Sequence, residues 1–479
     1  MSFSFLLQPK GALTAKPYAF RVRPWELSSV ESIDLIDHFQ NEIYIQYKNN
    51  TITRILPKKT KKNNSFISDS TRFSFDAISF NRTRLKKNSS VSYKYVRGLN
   101  LKNLIVVDKS LDLKILNFLK TLSYSTNNLY LRSEYKTISS SSFYVWSPKS
   151  NLSTFENTSK SCVICSTILN VESLILNIKI RLKFNKKRLT IFKFGYFSNS
   201  NFETTFLSLK LVKFLDLIKQ KHLIFLKSSF ILKNSIFIVG ESFLRRFKEF
   251  SSVLNLLKQK NKTILFYFIL KNPTADSTRF HSIKTVSKRF LNRLDKVIFV
   301  NLEDTVQSLS YLNSNNSKYK NILSFSSYNT QISKNSKLIL PIPSLFEFSG
   351  LYINVEQNLK KSLCVSIVTS NSLQSCFFKF LSTFSILKPF FIKFGCLKQK
   401  IKSTNCFSFV ALEFLKNSSL FNKNSKLFFP GWLKNTFVLF SYPDKTIYED
   451  RFRFNLNTKN SLTMLECSRN DRKQIHNFS

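Results

Sequence analysis

Glycine is almost missing: the 479 residues hold 7 Gly against 50 Phe. A phosphate-binding loop needs glycine where backbone must approach an anion closely at a strand end. The expected strand ends read "VDKS", "CSTIL", "VGES", "LKNP" and "NLED", and among them only Gly240 is a glycine. No Walker-type or dinucleotide fingerprint occurs anywhere, which argues against a working nucleotide-cofactor site. Acids are few beside the bases, 28 Asp+Glu against 74 Lys+Arg for a net charge of +46, and neither a paired-carboxylate nor a Ser/His/Asp arrangement can be read. The seven cysteines are odd in number and irregular in spacing. A disulfide framework is thereby excluded, and a reducing compartment is implied. Cys162-Val-Ile-Cys165 has the spacing of metal and redox motifs, yet it sits inside an apolar run with no second pair and no nearby histidine. It reads as two small buried hydrophobes. His38, His222, His281 and His476 are too scattered to complete a metal site. No apolar run reaches the roughly 18 residues a bilayer span requires. The nearest approach, from Cys376 to Gly395, is interrupted by Lys379, Lys388 and Lys393. The opening "MSFSFLLQPK" has neither the basic flank nor the apolar length of a signal peptide, and no Arg-rich leader is present.

The hydrophobic fraction of 43% is ordinary for a globular chain of this length, which has room for two to four domains. Lys, Asn, Phe, Ile and Leu, the abundant residues, have codons built largely from A and T, whereas the scarce Gly, Ala and Pro need G or C. This points to an AT-rich genome such as that of an organelle, with the protein made where it works. Much of the positive charge is then mutational bias. The same charge also fits an electrostatic footprint for nucleic acid or an anionic membrane. Tyr, Phe and basic residues interleave as in single-strand binders, but evenly along the chain, as core positions beside exposed lysines would.

Residues 41–56 alternate apolar and polar about Asn49-Asn50, the pattern of a β-hairpin. Two basic loops, "KKTKKNNS" and "LKKNSS", bracket "FISDSTRFSFDAISFNRTRL". From Leu101 onward short apolar runs alternate with helical stripes. The runs are Leu104–Val107, Cys162–Cys165, Leu189–Gly195, Asn234–Gly240, Thr263–Leu270, Lys296–Asn301, Asn321–Ser327 and Lys337–Pro341. One stripe is Leu111, Ile115, Phe118, Leu119 and Leu122; another is Val171, Leu174, Ile175, Ile178 and Leu182; a third helix is expected over residues 241–257. Short buried strands alternating with amphipathic helices predict an α/β fold, a mostly parallel sheet covered by helices on both faces, preceded by a small β-rich segment. The expected divisions are 1–100, an N-terminal docking segment with the hairpin; 101–360, the α/β core; and 361–479, a divergent basic, Phe-rich region.

One block stands apart. "GALTAKPYAFRVRPWELSSVESIDLIDHF", Gly11 to Phe39, keeps Trp25, prolines and four acids, Glu26, Glu31, Asp34 and Asp37, in a chain otherwise eroded of such residues. It resembles the large iron–sulfur subunit of respiratory complex I (NADH:ubiquinone oxidoreductase), in which "GALTSKPYAF.ARPWEL...ESIDV.DA" follows the last cysteine of a [4Fe–4S] site. The likeness continues in register: "TRILP" ending at Pro57, Ile67 to Leu85, then Asn170, Glu172, Asn177 and Ile180-Arg181. It runs on through Ile339–Pro341 with Glu347, Tyr352, Asn354 and Glu356.

The resemblance covers residues 1–358 and implies the second, molybdopterin-oxidoreductase-like part of that subunit, a degenerate relic without molybdenum cofactor. The family's last cluster cysteine falls at Gln8, and its "EGR" has become Glu356-Gln357-Asn358. The implied role is a non-catalytic brace in the matrix-side peripheral arm of mitochondrial complex I. It would carry no cofactor of its own and stand beside a companion chain bearing the [4Fe–4S] and [2Fe–2S] clusters. Leu6 and Leu7 would pack at the joint. Lys16, Tyr18, Arg21, Arg23, Trp25 and Glu26 are the expected partner contacts, with Trp25 a buried anchor at that interface. The competing reading from the residues is a basic organellar nucleic-acid-binding protein, ribosomal or intron-associated.

Overall fold

The computed structural model describes residues 18, 21–49, 51–59, 66–83, 103–107, 111–125, 129–133, 161–186, 189–195, 202–208, 235–240, 243, 265–269, 296–302, 321–356, 358–365, 452–453 and 455–477. The helix expected over 241–257, the Lys-interrupted run 376–395, and Leu6, Leu7, Gln8 and Lys16 lie outside the described residues, apart from Phe243.

The N-terminal sheet is antiparallel, β1 (Ser28–Ile33), β2 (Glu42–Lys48) and β3 (Thr51–Pro57) in that order. Its hairpin turns after Asn49, which takes the left-handed φ of 45° that asparagine tolerates. The alternation explains the register: Ile43, Ile45 and Ile55 face inward, while Tyr44, Gln46 and Arg54 are half-exposed on the other face.

The following strands split between two parallel five-stranded sheets. β4 (Asn103–Val107) and β5 (Leu129–Ser133) open the first. The second then forms complete from β6 (Ser161–Cys165), β7 (Thr190–Phe194), β8 (Thr205–Ser208), β9 (Ser235–Gly240) and β10 (Leu265–Ile269), in the order β10-β9-β6-β7-β8. The chain returns through β11 (Lys296–Val300), β12 (Asn321–Ser326) and β13 (Leu338–Pro341) to finish the first as β13-β12-β11-β4-β5. Both are doubly wound orders, with a switch point between β6 and β9 in one and between β4 and β11 in the other. The continuous apolar runs exist because both faces are covered: every residue of β6 and β9 is buried. A short antiparallel pair, β14 (Leu351–Ile353) and β15 (Leu359–Lys361), follows.

The helices are α1 (Asp69–Phe73), α2 (Leu113–Ser125), α3 (Leu169–Glu172), α4 (Leu174–Asn185), α5 (Gln331–Asn335), α6 (Leu456–Lys459) and α7 (Leu462–Asn477). For α2 the stripe holds at Leu111, Ile115 and Leu119, with Leu116 added to the core; the side chains of Phe118 and Leu122 lie outside the description. For α4 the expected stripe is corrected. Its inward face carries Ile175, Leu176, Lys179, Ile180 and Lys183, while Leu182 is 45% exposed and Ile178 half-exposed. The two lysines line that face with their methylene stems, as long cationic side chains can. No helix among the described residues is long and apolar enough to cross a membrane.

Candidate functional site

The turn Asp34–Gln40 serves three cores within a few residues. Leu35 belongs to the core under β4, β11 and α2; Ile36 to that of the N-terminal sheet; and Phe39 to that of β6, β9 and α4, with its ring 6.2 Å from Tyr267. Polar groups fix the same turn. Asp34 accepts from the backbone N–H of Ile36 (2.9 Å) and Asp37 (3.3 Å) and from the Thr71 hydroxyl (2.7 Å). The Asp37 carboxylate accepts from Phe39 N–H at 3.0 Å and from Ile175 N–H in the first turn of α4. Gln40 Nε2 donates to the Ile353 carbonyl (3.1 Å), and Val355 N–H to the His38 carbonyl (3.1 Å). His38 is thus a buried turn residue.

The other matched positions are bonded internally as well. Arg82 pairs with Glu347 (2.7 Å) beside Tyr328, and Glu347 also accepts from Ser344 N–H (2.7 Å). Asn177 donates to Asn170 (2.6 Å), Glu172 accepts from Ile168 N–H (3.3 Å), and Asn354 bonds the Phe39 carbonyl (3.3 Å). These residues hold elements together, which accounts for their survival in a biased composition. Sequence reading gave no signal for a further one. Asp76, in the 3-10 turn Ser74–Ile78, accepts from Thr463 N–H and Thr463 Oγ1 (both 2.8 Å) and from Ser461 Oγ. Its carboxylate therefore caps the start of the 16-residue α7 from the far end of the chain.

At the switch point of β6–β10, Ser166 follows β6 in the left-handed region (φ 50°) and its N–H bonds the Phe194 carbonyl at 2.8 Å. A Cβ on Gly195 would lie 2.2 Å from Ser166 Oγ, and one on Gly240 2.4 Å from the Ser166 carbonyl oxygen. These two glycines are required by the close approach of the chain's own strand ends. Asn301 repeats the device in the other sheet, with φ 52°, its N–H bonded to the Phe325 carbonyl (2.7 Å) and its side chain to Ser327 (2.8 Å). Cys162 and Cys165 are buried and uncoordinated among the described residues; burial pushes the Cys162 thiol up to about 12 and Cys165 well above its ordinary value, partly through Cys162.

Of the expected contacts, Lys16 is not described. Tyr18 lies under the Arg54 guanidinium at 4.2 Å, and Arg21 and Arg23 are exposed. The 3-10 turn Pro24–Glu26 presents Trp25, 74% exposed, with the Arg23 guanidinium 5.3 Å from its ring. Trp25 is therefore no part of this chain's own core. Glu26 bonds Lys48 (2.7 Å) and accepts from Arg23 N–H (3.0 Å); the Lys48 bond first, then the backbone bond, holds its carboxyl below the usual range.

The family model described as molybdopterin oxidoreductase matches residues 79–371. The chain belongs to the molybdopterin oxidoreductase family. A second model, the NADH-ubiquinone oxidoreductase NDSU1/NuoG-like 4Fe-4S domain, matches residues 27–76. Among similar proteins is the NADH-ubiquinone oxidoreductase 75 kDa subunit of Acanthamoeba castellanii, 25% identical across 98% of this chain and 71% of that protein. That of Reclinomonas americana is 27% identical over 53% of this chain and 41% of its own length. The 78 kDa mitochondrial subunit of Neurospora crassa is 46% identical over 77 residues, 16% of this chain and 10% of that protein. The large subunit that the opening block resembles is thus the relative along nearly the whole chain.

Neither cofactor in the family descriptions fits the described residues. The 4Fe-4S match runs against the expectation that this chain carries no cofactor of its own, since a domain described by such a cluster is matched at residues 27–76. Yet that piece contains no cysteine, the first in the chain being Cys162, and a cluster takes thiolates. No cluster of His, Cys, Asp or Glu able to hold a metal occurs among the described residues. For a pterin cofactor's phosphates, the first turn of α4 is already taken by the Asp37 carboxylate, and Ser166 fills the crevice between Gly195 and Gly240.

Proposed function

We propose that this chain is a non-catalytic bracing subunit of the matrix-side peripheral arm of mitochondrial complex I. It supports a separate chain that holds the iron–sulfur clusters during electron transfer from NADH to ubiquinone, and it carries no cofactor itself. The observation that supports this reading most is the switch point of β6–β10, plugged by Ser166 and by the Asp37 carboxylate where a phosphate would bind. Gln8 in place of a cluster cysteine, and the relatives named as 75 kDa subunits, support the same reading. Arg21, Arg23, Trp25 and Glu26 are exposed and Tyr18 half-exposed, and with Lys16 they form the contact with the cluster-bearing chain.

Native gel separation of mitochondrial membranes tests the assignment. The chain is expected to co-migrate with NADH dehydrogenase activity and with a second polypeptide carrying the cluster cysteines. Metal analysis of the separated chain is expected to find neither iron nor molybdenum. Stoichiometric metal in this chain, or migration with ribosomes, overturns the reading.

A further inference from the structure

Residues 27–76 match a domain described by its metal cluster, yet the groups at their centre are two carboxyls. Asp34 is 0% exposed and Asp37 3% exposed, three residues apart in the turn where three cores meet. Asp37's groups bind across elements, from the turn to the first helical turn of α4, while Asp34 binds across to α1 through Thr71. We propose that the Asp34–Asp37 pair is a metal-free, proton-linked clasp: closing this turn onto α1 and α4 takes up one proton from solvent, shared between the two carboxyls.

The argument begins with charge and burial. Two ionised carboxylates in one dry turn repel each other, and each loses its hydration, so one of them favours the neutral form. Five donors reach the pair: the N–H groups of Ile36, Asp37, Phe39 and Ile175 and the Thr71 hydroxyl. That supply suits one negative charge. The groups around the turn do not neutralise a second one. His38 lies in the turn itself; α1 brings Asp69 and Arg72; α3 brings Glu172, which accepts from Ile168 N–H; α4 brings Lys179; β10 brings Tyr267; and the β14–β15 hairpin brings Asn354 and Glu356. The charge felt by Asp37 through space is that of Asp34. Burial raises both carboxyls, Asp37 to about 7 with the Asp34 charge as the second cause, and the proton belongs to the pair rather than to either residue.

The sign follows from linkage. Above the ordinary carboxyl value of 3.8 the unfolded chain has released this proton, and the folded turn keeps it up to about 7. The clasp's contribution is therefore complete below pH 3.8 and is lost as pH rises through about 7.

Denaturant unfolding of the full chain at pH 5 and pH 8, for wild type, Asp37→Asn and Asp34→Asn, tests this. The wild-type unfolding constant is expected to rise by up to about tenfold per pH unit until the pair ionises. Either asparagine variant, which keeps one buried carboxyl and no like-charged neighbour, is expected to show a shallower slope, with the share set by burial of the remaining carboxyl retained. A chelator is expected to change nothing. Infrared spectra of the wild type supply a readout that needs no variant to fold: a protonated carboxyl band is expected at pH 6 and absent at pH 9. An unchanged slope in both variants, stability rising from pH 5 to 8, loss of stability with chelator, or no protonated band at pH 6 overturns the proposal.

Discussion

Trp25 presents a large apolar ring to solvent with a guanidinium over it, and Tyr18 and Arg54 repeat that pairing. Stacked cation–aromatic pairs are ordered before any partner arrives, so little freedom is lost on docking. Trp25→Ala is expected to weaken association with the cluster-bearing chain by about 2–4 kcal/mol and to leave this chain's own unfolding nearly unchanged. Titration of the two chains, together with denaturant unfolding of the variant, checks both halves. Asp76 has the opposite character, because its carboxylate bonds only groups of this chain among the described residues. Asp76→Ala removes the carboxylate's three accepted bonds, from Ser461 Oγ, Thr463 N–H and Thr463 Oγ1, and the negative charge at the first turn of α7. A cost of about 1–2 kcal/mol is expected, read as faster proteolysis within residues 455–477 while the β6–β10 sheet stays protected.

Helix α4 carries the clearest lesson at the level of elements. Ile180→Ala should cost about 2–5 kcal/mol, since Ile180 is fully buried against β6 and β9. Leu182→Gln should change stability by less than about 0.5 kcal/mol, Leu182 being 45% exposed. Unfolding midpoints of the two variants test the orientation of the helix directly. The sequence-based stripe picked Leu182 because AT-biased composition puts Ile, Leu and Phe on surfaces too, and lysines reach into the core by their stems. Apolar periodicity then loses its contrast. The strands suffered no such loss, because a short run buried on both faces is recognised by its length alone. Residues 104–107, 162–165, 234–240, 296–301 and 337–341 were therefore legible nearly to the residue. β1, β5 and β8 were missed, their runs being broken by Ser, Glu, Arg or Thr. Partner choice among parallel strands leaves no local trace, so the division into two sheets could not be read. At the candidate site Trp25 and the acids of the opening block stood out by composition. Asp76 and Ser166 did not, since a cap or a plug is defined by what lies across the fold from it.

Across the whole molecule, β11 is the middle strand of its sheet, hydrogen-bonded to β4 on one side and β12 on the other. Between β4 and β11 the chain lays down the entire β6–β10 sheet. A chain stopped before Lys296 would keep β4 and β5 without the three strands that complete them, leaving apolar strand surface and an open ladder edge. Such a truncation is expected to pellet on centrifugation, whereas the full chain stays in solution under the same expression conditions. The same interruption sets a clock during synthesis. At roughly 5–20 residues per second, the ribosome needs roughly ten to forty seconds to travel from β4 to β11. For that interval Leu104–Val107 waits half-paired while later strands find their partners. The protein's yield in the cell is therefore tied to whatever shelters that strand on the emerging chain, and elongation pauses between residues 107 and 296 lengthen its exposure.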